Sequence, residues 1–135
     1  MNRVLVLMID DNEDDVELLA TVFAKANTGF GFSHTLDAAD GLARLLAEVN
    51  RIRLVLLDIK MPSRDGKDVL SEIRRQPTLR HLPVIVFSSS DAPSDVRASY
   101  QLGANAYVRK PVDLEGWREF LGRLDDFWLK TATLP

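Results

Sequence analysis

Three carboxylates stand where apolar runs of this chain end. Val4-Leu5-Val6-Leu7-Met8-Ile9 runs into Asp10 and Asp11, and Leu54-Val55-Leu56-Leu57 stops at Asp58. Two more expected strands end in groups able to work with those acids: the apolar run 83–87 leads to Ser88-Ser89-Ser90, and the short strand 104–109 leads to Lys110-Pro111. In an open parallel sheet, ligands gather in the crevice outside the carboxyl ends of the strands, so Asp10, Asp11, Asp58, Ser88 and Lys110 are expected to converge there. Three packed carboxylates repel one another and raise at least one pKa unless a cation sits among them. Hard oxygen ligands with room for water suit Mg²⁺. A lysine and a hydroxyl on the same rim provide what a phosphoryl group needs, a charge to offset its own and a donor to its oxygens. A carboxylate can itself be the nucleophile, which gives an aspartyl phosphate.

These groups need strands to end at one edge and helices to carry the chain back. From Glu13 the apolar period becomes helical, through Val16, Leu19, Ala20, Phe23 and Ala26, with Asp14 and Asp15 in the first turn where the helix dipole favours acids. Asn27, Gly29 and Gly31 break that helix, and 30–36 reads as a weaker strand. Asp37 or Asp40 can cap a helix carrying Leu42, Leu45, Leu46 and Val49. After Asp58, Pro62 cannot continue a ladder and Asp65-Gly66 starts a helix with Val69, Leu70 and Ile73, which must stop before Pro77. Arg74-Arg75 reads as its solvated end. Pro93 fits the first turn of a helix carrying Val96, Tyr100 and Leu102, and Gly103 is a natural stop. Leu114, Trp117, Leu121, Leu124 and Trp128 recur at helical spacing over four turns, while Phe120 and Phe127 widen the apolar face. That width suggests a partner surface. Repeated β-α units with short connections predict an α/β fold, a parallel sheet with helices on both faces.

Composition narrows the classes. A chain of 135 residues, 46% hydrophobic and 27% charged, fits one globular domain with a real core. The net charge of −3, with 17 dispersed basic residues, argues against nucleic acid as a partner. Cysteine is absent from the sequence, which excludes disulfide scaffolds and thiolate metal sites. The run 4–9 is too short for a membrane span and leads into acids, unlike a signal peptide, so a cytoplasmic location without membrane contact is expected. His34 and His81 have no partners at metal or triad spacing.

Taken singly, the motifs are bland: Asp10-Asp11 reads as a helix-start cluster, Ser88 as part of a loop, Lys110-Pro111 as a turn, Tyr107 as a strand aromatic. Together they resemble something specific. Asp10-Asp11, Asp58 followed by Met61-Pro62 and Asp65-Gly66, then Ser88, Gly103-Ala104-Asn105-Ala106-Tyr107 and Lys110-Pro111 resemble the receiver domain of two-component response regulators over almost the whole chain. The resemblance implies a flavodoxin-like, five-stranded parallel sheet of order 2-1-3-4-5. It implies a single receiver domain over 1–135, with a core at 3–129, a tail at 130–135 and no effector domain.

By the same resemblance, Asp58 accepts a phosphoryl group from a histidine kinase. Asp11, Asp58 and the Lys60 backbone carbonyl, with Asp10 assisting, hold Mg²⁺. Lys110 pairs with the phosphoryl oxygens beside a Lys110–Pro111 bond that is usually cis in the family, and Ser88 with Tyr107 forms the switch pair. Phosphorylation and dephosphorylation would be self-catalysed, with no other enzyme activity. Lys60 and Ser90 would flank the path of the hydrolytic water, Lys60 replacing the uncharged residue of many receivers, and Ser89 would slightly narrow phosphoryl access. The run 10–18 and the tail from Phe127 are similar to stand-alone regulators that partner bacterial and cyanobacterial phytochrome kinases. That points to a phytochrome kinase as partner and to a homodimer through Tyr100, Trp117, Phe120, Leu124, Phe127 and Trp128. The alternatives are a phosphate sink or a pseudo-receiver that only binds. A haloacid dehalogenase-type phosphohydrolase needs a second Asp two residues after its nucleophile, and Asn12 stands there after Asp10.

Overall fold

The structure, a computed structural model, describes residues 4–62 and 65–135. Residue 3, the expected start of the core, and Ser63 and Arg64, in the loop after the expected acceptor, lie outside the described residues. The strands β1 (Leu5–Ile9), β2 (Gly31–Thr35), β3 (Ile52–Leu57), β4 (Val84–Ser88) and β5 (Ala106–Arg109) alternate with the helices α1 (Glu13–Lys25), α2 (Ala38–Ala47), α3 (Gly66–Arg75), α4 (Pro93–Gln101) and α5 (Leu114–Leu124). The strands form one parallel sheet of order β2-β1-β3-β4-β5, as expected. Among the described residues no helix is long and apolar enough to cross a membrane.

The pleat divides the core. Leu5, Leu7, Ile9, Val55 and Leu57 face Val69, Leu70 and Ile73 of α3 and Leu45 of α2. Val6, Met8, Leu54, Leu56, Ile85 and Phe87 face Val16, Leu19 and Phe23 of α1 and Trp117 and Leu121 of α5. The central strands are therefore apolar on both faces and read as continuous runs rather than alternations. Phe87 packs edge-on to Trp117 and flat on Phe120, with ring centroids 5.3 and 4.4 Å away. Trp117 and Leu124, each 3% exposed, thus belong to the core and leave the expected partner surface narrower. Trp117 is held there by Phe87, and Leu124 shares the same core layer.

Side-chain caps start four helices: Asn12 accepts from Asp15 N, Asp37 from Ala39 N, Asp65 from Lys67 N and Asp113 from Gly116 N. Such caps are worth about 1 kcal/mol each. Helix α4 has no side-chain cap, only Pro93 in its first turn, and its fully buried positions are Asp95 and Ser99. It alone among the α-helices buries a charged group on its inner face in place of an apolar stripe.

The last helix differs from expectation. Past Leu124 it continues as a π-helix, Asp125–Thr131, rather than a fourth α turn. Its contacts have a five-residue spacing: Lys130 Nζ is 2.9 Å from Asp125 Oδ2, Thr131 Oγ1 donates to Asp126 O, and Ala132 N donates to Phe127 O. The wider turn lets Trp128 and Leu129 pack on the core while Phe127 stays 55% exposed.

Arg74 is not a solvated helix end. Its guanidinium donates to Gly103 O from Nε (2.9 Å) and Nη2 (2.8 Å), to Leu82 O (2.8 Å) and Arg80 O (3.1 Å) from Nη1, and to Asn105 Oδ1 (2.9 Å) from Nη2. Asn105 Oδ1 also accepts Val84 N. The planar fork ties α3 to the turn that launches β5, a role helix periodicity cannot reveal. Gly103 adopts φ +104°, and a Cβ there would meet Arg74 Nε at 2.9 Å.

Candidate phosphoryl site

The carboxyl ends of β1, β3, β4 and β5 bring Asp10, Asp58, Ser88 and Lys110 to one edge, all buried, with half-buried Asp11 beside them. The backbone fixes the acids in place. Asp10 Oδ1 accepts Asn12 N at 3.0 Å, and Asp58 Oδ1 accepts Lys60 N at 3.0 Å, so each carboxylate closes the turn that follows its strand. Gly66 is required beneath that turn, because a Cβ there would strike the Asp58 carbonyl oxygen and reach Ile59 Cα at 2.5 Å.

Lys110 Nζ lies 2.7 Å from Asp10 Oδ2, 2.8 Å from Asp15 Oδ2 and 3.2 Å from Asp58 Oδ2. The sequence marks Asp15 only as a first-turn acid, and its contact with Lys110 is not anticipated there. The signal available was its place three residues after the Asn12 cap, where the first turn of α1 still faces the end of β1. Burial would lower the Lys110 pKa, but hydrogen bonds to Asp10 and Asp15 and the Asp58 charge outweigh it and hold the ammonium above its ordinary value. The Asp10 carboxyl moves the other way: burial raises it from 3.8 to about 6, against the opposing pull of Lys110 and Asn12 N.

Carboxylate oxygens of Asp10, Asp11 and Asp58 all lie within 4.8 Å of one another. Such a hard-oxygen set, with half-buried Asp11 leaving room for water, fits a divalent cation. Lys60 stands at this site through its N–H. Its side chain, 59% exposed, turns away to Asp95 Oδ2 at 3.2 Å.

Ser88 Oγ accepts Ser90 N at 3.3 Å and is engaged with its own loop. Tyr107 is half-buried; its hydroxyl donates to Ser90 O at 2.7 Å, and its N–H donates to Tyr100 Oη at 3.1 Å. The two expected switch residues are thus linked through Ser90. The Lys110–Pro111 bond is trans, as are all bonds between described residues, whereas the resemblance implied cis. Trans is the ordinary preference for X–Pro, and in this backbone it already delivers the lysine to all three acids.

Of the expected surface, Tyr100 and Phe127 are exposed and Trp128 and Phe120 half-buried, while Trp117 and Leu124 are core.

Comparison with known proteins agrees with this geometry. The family model for the response regulator receiver domain matches residues 6–121. Response regulator Rcp1 of Synechocystis sp. is 32% identical over 136 residues, covering 97% of this chain and 92% of its own length. The structure of its Mn²⁺-bound form superposes with a TM-score of 0.86, at 32% identity, over 98% of this chain and 99% of that one. The phosphorylated cyanobacterial phytochrome response regulator RcpA gives a TM-score of 0.90 at 32% identity, covering 100% and 99% of the two chains. The response regulator RPA3017 in red light signaling of R. palustris gives 0.88 at 32% identity, covering 98% of each.

Proposed function

The chain belongs to the response regulator receiver domain family, and from that premise we propose that Asp58 accepts a phosphoryl group from the phosphohistidine of a histidine kinase. One observation carries this reading: Asp58 shares the ammonium of Lys110 with Asp10 at an edge where Asp11 supplies a further oxygen. An Asp58 carboxylate oxygen attacks phosphorus, the N–P bond of the phosphohistidine breaks, and a proton from solvent completes the leaving imidazole. Lys110 offsets the charge of the phosphoryl oxygens. Asp10, Asp11, Asp58 and the Lys60 carbonyl would hold Mg²⁺, which would supply further neutralisation of the phosphoryl charge. Water later attacks phosphorus and regenerates the carboxylate with release of phosphate, with Lys60 and Ser90 flanking its path.

A dianion at Asp58 offers acceptors to Ser88, whose loop moves inward and gives Tyr107 room to rotate. The face of α4, β5 and α5 then changes and carries the signal by protein contact, as a single receiver domain in the cytoplasm, without nucleic acid or membrane. The likeness to Rcp1 and RcpA supports a phytochrome-type kinase as the source of phosphate. Exposed Tyr100 and Phe127, with Trp128 and Phe120 beside them, support a homodimer through that face.

Incubation with Mg²⁺ and acetyl phosphate tests the core of the reading. Mass spectrometry should show one base-labile phosphoryl group on the protein and none on Asp58→Asn; equal labelling of both proteins would refute the assignment. Light scattering across concentrations tests the dimer.

A further inference from the structure

Asp95 is a charged residue on the inner face of α4, with a side chain only 9% exposed. Its contacts come from three other segments. Oδ1 accepts Lys67 Nζ from the first turn of α3 at 2.9 Å, and Oδ2 faces Lys60 Nζ from the acceptor loop at 3.2 Å. Oδ2 also accepts the Ser90 hydroxyl from the β4–α4 loop at 2.6 Å. The hydrogen bonds from Ser90 and Lys67, with Lys60 adding to them, hold the Asp95 carboxyl well below the usual carboxylate range, so it is ionised throughout the physiological range.

Ser90 is gripped on every side, since its carbonyl accepts Tyr107 Oη and its hydroxyl oxygen accepts Ala92 N. Its N–H, in turn, occupies Ser88 Oγ. The Ser88 hydroxyl, through Ser90, and the Lys60 ammonium, directly, are thus both joined to a network with Asp95 at its centre.

We propose that Asp95 is a positioning residue for the phosphoryl chemistry: it parks the Lys60 ammonium outside the pocket and holds the Ser90 loop in the resting arrangement. The inference rests on the reading of Asp58 as phosphoryl acceptor. Released from Asp95, Lys60 reaches the phosphoryl oxygens two residues away, pairs with them and stands in the approach of the hydrolytic water. The released loop brings Ser88 to the phosphoryl group at less expense of resting contacts. Loss of the Asp95 charge therefore speeds phosphorylation by a small donor and lengthens the life of the aspartyl phosphate, and the second effect needs Lys60.

The experiment follows phosphorylation by acetyl phosphate with Mg²⁺, then decay after donor removal, in the wild-type chain, Asp95→Asn, Asp95→Glu, Lys60→Met and the Lys60→Met/Asp95→Asn double variant. Thermal melts verify that each is folded. Asp95→Asn should lengthen the phosphoryl half-life at least threefold, and Asp95→Glu should stay within twofold of wild type. In the Lys60→Met background, Asp95→Asn should have no further effect on decay. An unchanged half-life in folded Asp95→Asn, or an equal lengthening with and without Lys60, overturns the proposal. If Asp95→Asn does not fold, Asp95→Ser takes its place in both backgrounds, and an unchanged half-life in the folded Asp95→Ser protein overturns the proposal. Failure of the wild-type chain to take up phosphate refutes the acceptor reading instead, so the two failures are separable.

Discussion

Lys110 Nζ stands nearer to Asp15 Oδ2, at 2.8 Å, than to Asp58 Oδ2, at 3.2 Å. The lysine proposed to serve the phosphoryl group is thus tethered by an acid of α1 that belongs neither to β1 nor to β3. Asp15 adds to the negative field of the site without offering an oxygen to the trio of Asp10, Asp11 and Asp58.

Its neutralisation should therefore weaken divalent binding through charge alone. Asp15→Asn is expected to reduce Mg²⁺ affinity by less than tenfold, under about 1.4 kcal/mol. Asp11→Asn and Asp58→Asn, which remove charged oxygens of the proposed metal set, should each reduce it by more than tenfold. Calorimetric titration ranks the three; an Asp15→Asn loss as large as that of Asp58→Asn would make Asp15 a ligand.

Burial raises the Asp10 carboxyl from 3.8 to about 6, so its ionised form is a burden on the metal-free fold. The folded state holds this proton more tightly than the unfolded state. The burden is accordingly full above pH 6, shrinks as pH falls, and is gone below the ordinary carboxylate value. In EDTA at pH 8, Asp10→Asn should be more stable than wild type by on the order of 2 kcal/mol, with the two curves converging by pH 4. Adding Mg²⁺ should raise the wild-type midpoint more than that of the variant. Denaturant unfolding at several pH values checks both signs.

Arg74 serves four acceptors on the α3–β4 and α4–β5 connections. Lysine cannot reproduce a planar fork, so Arg74→Lys should lose about 2 kcal/mol and Arg74→Ala about 3–4, the range for a broken buried polar network. Gly103→Ala should lose about 1–3 kcal/mol, because its positive φ and the proximity of Arg74 both oppose a side chain. Urea midpoints decide this, and the acceptor site should still take up phosphate.

On α5 and its π continuation, neighbouring aromatics should part company. Trp117→Ala, in the core, should destabilise the fold by about 3–5 kcal/mol. Phe127→Asp, on the surface, should leave the melting temperature within a few degrees of wild type and abolish the proposed dimer, as light scattering would read it. A Phe127→Asp protein that still dimerises would move the interface elsewhere.

The sheet order and the gathering of Asp10, Asp58, Ser88 and Lys110 were legible because the first three lie where buried apolar runs stop and Lys110 where a short half-buried strand does, and in a parallel sheet those stops share an edge. The core placement of Trp117 was not legible: helical periodicity marks an apolar stripe as broad but does not say which part a strand will cover. Nor was the work of Arg74, Asp15 and Asp95. Their partners lie 29, 95 and 28 residues away in the chain, and a charged residue on a helix carries no pattern that distinguishes a solvated face from a tether. The π continuation escaped for a different reason: five-residue contacts such as Asp125 with Lys130 do not disturb the apolar spacing that announces a helix.

The inner face of α4, with Asp95 and Ser99 where its neighbours place Leu, Val and Phe, bears on temperature. Lifting a helix that buries so little hydrocarbon exposes little apolar surface, and the accompanying heat-capacity change is small. The enthalpy of that movement then varies little on warming, unlike the enthalpy of unfolding the sheet and its two apolar layers. A proposed balance between resting and displaced α4, set at one growth temperature, would therefore drift slowly at another, insulated from the steep curvature that governs the stability of the fold beneath it.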